Sequence, residues 1–158
     1  MENNFRYYIN MNSKEFKIVF GNIAKEYDFK KAFGGWYKES PECIAVLELQ
    51  KSNFGDYYLL NIKVFIQRLF GKNYYLTKDL IKSPIGDITI NETQEYRDVF
   101  DFDESMIDDV KRREKLEKLF KNHIVPFVNN TLTKNGIIEL VRSGRLLLLP
   151  AVKKELRI

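Results

Sequence analysis

Apolar and polar positions alternate most regularly between Cys43 and Ile66, "CIAVLELQKSNFGDYYLLNIKVFI". A period of two marks strands with two unlike faces. The pattern breaks at Asn53-Phe54-Gly55-Asp56, residue types that suit a turn, so the stretch reads as a hairpin. Setting Asn53 opposite Asp56 pairs Cys43 with Ile66, Ala45 with Val64, Leu47 with Ile62 and Leu49 with Leu60, all apolar. The reverse face pairs Ile44 with Phe65, Val46 with Lys63, Glu48 with Asn61 and Gln50 with Leu59. A slip of one residue mixes the two sets, which a buried face does not tolerate. Carried back past Pro41, this register places Trp36 beside Leu47 and Tyr37 near Val46, on a first strand from Phe33 to Glu39.

Upstream the period changes. Phe16, Val19, Phe20, Ile23 and Tyr27 recur at spacings of three and four, which predicts a helix from about Ser13 to Tyr27 with Ser13 as its N-cap. Downstream, "NYYLT" (73–77) and "GDITI" (86–90) read as shorter strands. The acidic stretch Asp98 to Asp109 reads as a loop entering a helix from about Glu104 to Val125. Val110, Leu116, Leu119, Phe120, His123 and Phe127 mark that helix's inner side, and Pro126 kinks or ends it. Thr131 or Thr133 caps a further helix, "KNGIIELVRS", closed by Gly144, and "RLLLLPAVKKELRI" makes a last short one. A helix, then antiparallel strands, then helices gives one α+β domain over residues 1–158. Its sheet has four to five strands, covered on one face by the N-terminal helix and the C-terminal helices. The mixed face then looks outward.

Composition narrows the chemistry. The chain has 158 residues, 44% hydrophobic and 30% charged, long enough for a sizeable core. Its formal charge of +4 comes from 26 basic residues interleaved with 22 acidic ones. One Cys excludes an internal disulfide and fits a reducing compartment. The first residues, "MENNFRYYINMN", show no positive segment followed by an apolar core, and the longest apolar run, Leu146 to Val152, falls short of the roughly 20 residues a membrane helix needs. A cytoplasmic protein without membrane contact is the expectation.

No catalytic residue, cofactor or metal ligand is assigned. Zinc sites draw their ligands from several Cys and His side chains, and this chain has one of each. A calcium loop begun at Asp101 would set Met106 and Arg112 where a Gly and a Glu are needed. Gly34-Gly35 lacks the remainder of a phosphate-binding loop. His123 is expected as a packed structural residue and Cys43 as an inert one. The basic run 111–115 ("KRREK") is interrupted by acids nearby, so nucleic acid is disfavoured.

Three segments carry a resemblance to a known family: "DFKKAFGGWYKES", "IAVLELQKSNFGDYYLLNIKVFI" and "NHIVPFVNNTLTKNGIIEL". Within them, Asp28-Phe29-Lys30, Gln50-Lys51-Ser52, Asn61 and Pro126-Phe127 stand at the recurring positions. The chain resembles domain of unknown function family 4304, small and mainly bacterial, from about Phe16 to Leu140. The resemblance implies no activity and no cofactor.

What remains is the mixed hairpin face. Tyr37, Glu48, Gln50, Asn61 and Lys63 are its candidate binding residues, with Phe33, Leu59 and Phe65 around them. Aromatic anchors among polar groups suit an interface. The expected function is therefore a non-enzymatic protein-binding module, with toxin neutralisation as a sharper form. A small-ligand binder or enzyme and a nucleic-acid binder are the alternatives. The competing structural reading is an ordinary solvated face, or one covered by the C-terminal segment.

Overall fold

A computed structural model describes residues 11–104 and 107–158. The opening stretch read for an export signal lies mostly outside that description, as do residues 105–106 of the acidic segment.

Helix α1 spans Ser13–Glu26 and buries Phe16, Phe20, Ile23 and Ala24. Its cap is Asn12, not Ser13. Asn12 has extended backbone and its side chain accepts the Glu15 N–H at 2.9 Å, which satisfies one of the helix's free donors. Ser13 instead lies buried in the first turn, where its carbonyl accepts the Tyr58 hydroxyl at 3.0 Å.

Five strands follow: β1 Lys30–Ala32, β2 Gly35–Glu39, β3 Cys43–Lys51, β4 Tyr58–Ile66 and β5 Ile88–Asn91. They form one antiparallel sheet in chain order. The central register is the expected one, from Cys43 opposite Ile66 to Lys51 opposite Tyr58, with Trp36 opposite Leu47 and Tyr37 opposite Val46. The expected first strand is really a hairpin. Phe33 and Gly34 form its tip with φ of 50° and 80°, the pair of left-handed residues that a two-residue turn with the right twist requires.

"GDITI" supplies β5, whereas "NYYLT" forms no strand and leads into α2, Lys78–Lys82. Thr77 caps α2 by accepting the Leu80 N–H at 3.1 Å. A 3-10 turn, Gln94–Phe100, then runs toward α3, Asp109–Leu119. The long helix begins five residues later than expected because Asp108 is extended and caps it, accepting the Lys111 N–H at 2.8 Å.

Pro126 neither ends that helix nor leaves it unchanged. It has no N–H to return to the preceding turn, and one π turn, Phe120–Ile124, precedes it. The Val125 N–H reaches back to Phe120, after which α4 continues over Val125–Thr131. The added residue rotates the helix. Ile124 and Val128 turn inward, and His123, expected inside, is exposed. Val110 also points to water, while Arg112 is the buried residue of the first turns. Its Nη1 donates to the carbonyls of Asp98 and Asp101, both at 3.1 Å, and to that of Val99.

Thr133 caps α5, Lys134–Arg142, by accepting the Gly136 N–H. Left-handed Gly144 closes it, with the Arg145 N–H bonded to the Leu140 carbonyl at 2.9 Å. Helix α6 is Pro150–Leu156.

The apolar sheet face is the core. Cys43, Ala45, Leu47, Leu60, Val64 and Ile66 are fully enclosed with Phe16 and Phe20 of α1, Leu116 and Phe120 of the long helix and Ile137 of α5. The mixed face does not look outward. Leu80 and Ile81 of α2 join Ile44, Val46 and Phe65 in a second, smaller cluster. The cover is the connection between β4 and β5, not the C-terminal segment. The architecture is α+β, a five-stranded antiparallel sheet with an N-terminal helix and several C-terminal helices.

Candidate functional site

The expected binding residues do come together, under cover. Lys63 is fully buried and donates to Glu48 Oε1 at 2.9 Å, to the Ile81 carbonyl at 2.6 Å and to the Ser83 carbonyl at 2.7 Å. Asn61 Nδ2 donates to Gln50 Oε1 at 2.9 Å, and its Oδ1 accepts from Asn91 at 2.7 Å. Glu48 and Asn61 are buried as well, and Gln50 alone of these four is exposed. Tyr37 stands apart, packed on the small cluster and lining a 280 Å³ cavity with Lys38 and Asn129. Of the aromatic and apolar neighbours, Phe65 is buried while Phe33 and Leu59 are exposed. This group holds α2 on the sheet; it is not a free contact surface.

The larger opening lies on the other side of β2. Lys14, Lys17, Gly21 and Lys25 recur along α1 at spacings of three and four, so they form a stripe away from its core side. That stripe faces Lys30 and Lys31 of β1 across a groove of about 970 Å³, within the usual range for ligand sites. Trp36 and Phe29 form the floor and half-polar Tyr58 closes the end near the α1 N-terminus. Ile18 adds an exposed apolar side chain to the rim.

Charge in the groove is one-sided. Asp28 is the acid among its lining residues. Lys82 of α2 adds a further cation near the hairpin tip, its Nζ 3.3 Å from where a Cβ on Gly34 would lie. None of Lys14, Lys17, Lys25, Lys30, Lys31 and Lys82 forms an ion pair with a carboxylate among the described residues. Burial pushes the Lys17 ammonium below the usual lysine range, and the charges of Lys82 and Lys31 push it further, against a weaker pull from Glu48. An anion entering here relieves that repulsion.

The floor is shaped by an omission. A Cβ on Gly21 would sit 3.1 Å from both Cζ2 and Nε1 of the Trp36 indole, so the missing side chain lets the helix lie against the ring without pushing it aside. The sequence held a signal for this site: lysines at helical spacing opposite the apolar stripe of α1, followed by Lys30-Lys31 and Gly34-Gly35. What it could not give was the distance between α1 and the edge hairpin.

Other reactive groups lie elsewhere. Cys43 is fully buried and its thiol is pushed up to about 12, first by burial and then by Glu42. His123 lies against Tyr96 at the surface of the long helix, with ring centroids 5.4 Å apart. No group of three or more His, Cys, Asp and Glu side chains among the described residues is placed to hold a metal. No helix among them is long and apolar enough to cross a membrane.

The model of a family described as a domain of unknown function, DUF4304, matches residues 20–130. The chain belongs to this family. The DUF4304 span holds all five strands, α2 and most of the long helix, together with Gly21, Lys25, Lys30, Lys31 and Trp36 of the groove. Lys14 and Lys17 precede it. No curated protein and no solved structure matches the chain.

Proposed function

We propose that the protein is a non-enzymatic binding module that holds an acidic segment of a protein partner in the groove between α1 and the β1–β2 hairpin. The observation that carries this reading is the gathering of lysines around an apolar floor, with no carboxylate paired to them among the described residues. Apolar floor and charged rim together resemble the anatomy of protein interfaces. Nucleic acid fits less well. Bases stack on exposed aromatic faces, and Trp36 and Phe29 are 2% and 3% exposed. The cations are lysines, with no arginine among the described lining residues to grip phosphate in two places. A partner with an acidic surface also gains in encounter rate from a basic module. Neutralising an acidic toxin is one role that suits it.

Calorimetric titration with a short glutamate-rich peptide, containing leucine and no tryptophan, tests the reading. Binding is expected at low salt and should weaken as salt rises and screens the exposed lysines. Lys17→Glu combined with Lys31→Glu should lower affinity by about tenfold or more without lowering the melting temperature. Equal affinity in the charge-reversed protein defeats the proposal. So does tighter, lysine-dependent binding of a single-stranded oligonucleotide.

A further inference from the structure

Trp36 is the one tryptophan of the chain, and its indole has unlike neighbours on its two sides. Phe20 supports it from the core, with 4.9 Å between ring centroids. Over its Nε1 edge stands Gly21, where no side chain intervenes. The residue is 98% enclosed, being 2% exposed, yet its N–H meets no acceptor among the described residues. Among those residues Arg112 Nε is the fully enclosed side-chain nitrogen or oxygen that lacks a partner. The Trp36 nitrogen is therefore not sealed in; it opens onto the groove that the ring helps to line. No protein group among the described residues supplies its acceptor, so the N–H is left for water or for a ligand oxygen that enters the groove.

The surroundings indicate which acceptor. Lys17 and Lys25 lie one helical turn before and after Gly21, on the same face of α1. Helical side chains lean toward the N-terminus, so the Lys25 stem passes over the turn that contains Gly21. A single neutral N–H thus lies at the bottom of a slot with ammonium groups at its rim. One oxygen satisfies the N–H, and a second oxygen on the same flat group meets the cations. A carboxylate has that form.

Building on the reading of the groove as a site for an acidic segment, we propose that Trp36 Nε1–H and the slot over Gly21 receive one carboxylate side chain of that segment. One oxygen accepts from the indole N–H, and the other faces Lys17 and Lys25. The slot is then the specificity-determining part of the groove, while the outer lysines add attraction without selection.

Because there is one indole, its N–H gives one resonance in a ¹⁵N-correlated spectrum and its ring is the tryptophan fluorophore. Titration with the glutamate-rich peptide should move the indole proton resonance downfield and shift the emission, saturating together with the calorimetric curve. The same peptide with glutamine throughout should leave both signals in place. Trp36→Phe, which keeps one aromatic ring and loses the pyrrole part with its donor, should weaken calorimetric binding by about tenfold, as a lost hydrogen bond to a charged group does. Gly21→Ala should weaken it similarly by filling the slot. If the peptide binds in a lysine-dependent way while the indole signals stay still and both variants bind like the natural protein, the slot is refuted and the groove reading stands. If the peptide does not bind at all, both fail. An indole shift of equal size with inorganic phosphate refutes the carboxylate assignment.

Discussion

Lys63 carries a charge to a place water does not reach, and its three donors each find an oxygen: one carboxylate and two carbonyls at the end of α2. Removing the ammonium strands Glu48 and both carbonyls in an enclosed space. Lys63→Met is expected to destabilise the fold by about 3 kcal/mol or more, whereas Lys63→Met with Glu48→Gln recovers part of the loss. Urea unfolding of the three proteins checks this; equal stability of the single variant and the natural protein contradicts it. The alternation of the hairpin already set Lys63 diagonally from Glu48 and Asn61 opposite it. Their enclosure was not legible, because the covering residues Leu80 and Ile81 come from a short helix too brief to show a period.

Among the elements, β5 shows how a short strand is bounded at both ends. Asp87 Oδ2 accepts the Ile66 N–H at 2.8 Å beyond one end, and Glu92 Oε2 accepts the Leu60 N–H at 3.0 Å beyond the other. Side-chain carboxylates take over the ladder where β5 stops. Burial holds both above the usual carboxylate range, although the N–H bonds pull the other way. A carboxyl with a raised folded-state value binds its proton more tightly in the native protein. Its favourable contribution is thus complete below the ordinary value, 4.5 for Glu92, and is lost as pH rises through the folded-state value. Glu92→Gln retains an acceptor for Leu60 and should gain stability relative to the natural protein as pH rises from 4.5 toward neutrality. Chemical denaturation across that range reads the difference; a constant or reversed difference tells against it. The long helix teaches a related lesson. Leu116, Leu119 and Phe120 follow the expected inner stripe, but one π turn ahead of Pro126 shifts everything beyond it, and His123 leaves the core side. A periodic pattern identifies a helix, while a single inserted residue changes its phase.

For the whole molecule, the core encloses Cys43 so thoroughly that its thiol reports on global opening. Labelling by a thiol reagent in native conditions should be slower than in urea by about a thousandfold or more, in keeping with ordinary domain stabilities. Comparable rates in both conditions contradict that enclosure. Much of the α+β plan was legible, because the Leu47, Leu49, Leu60 and Ile62 set admits one register and the stripe of α1 needs a face to cover. The groove was not, since its lysines belong to two separate elements and only the approach of α1 to the edge hairpin makes them neighbours.

The segment that shields the mixed face is the sheet's own connection between β4 and β5, and Lys63 belongs to both arrangements. It is paired with Thr89 across the ladder and tied to the α2 carbonyls above. Cover and last strand are therefore fastened at one shared rivet. Peeling away the cover loosens the strand, and losing the strand frees the cover, so that side of the molecule opens as one hinged panel and not piece by piece.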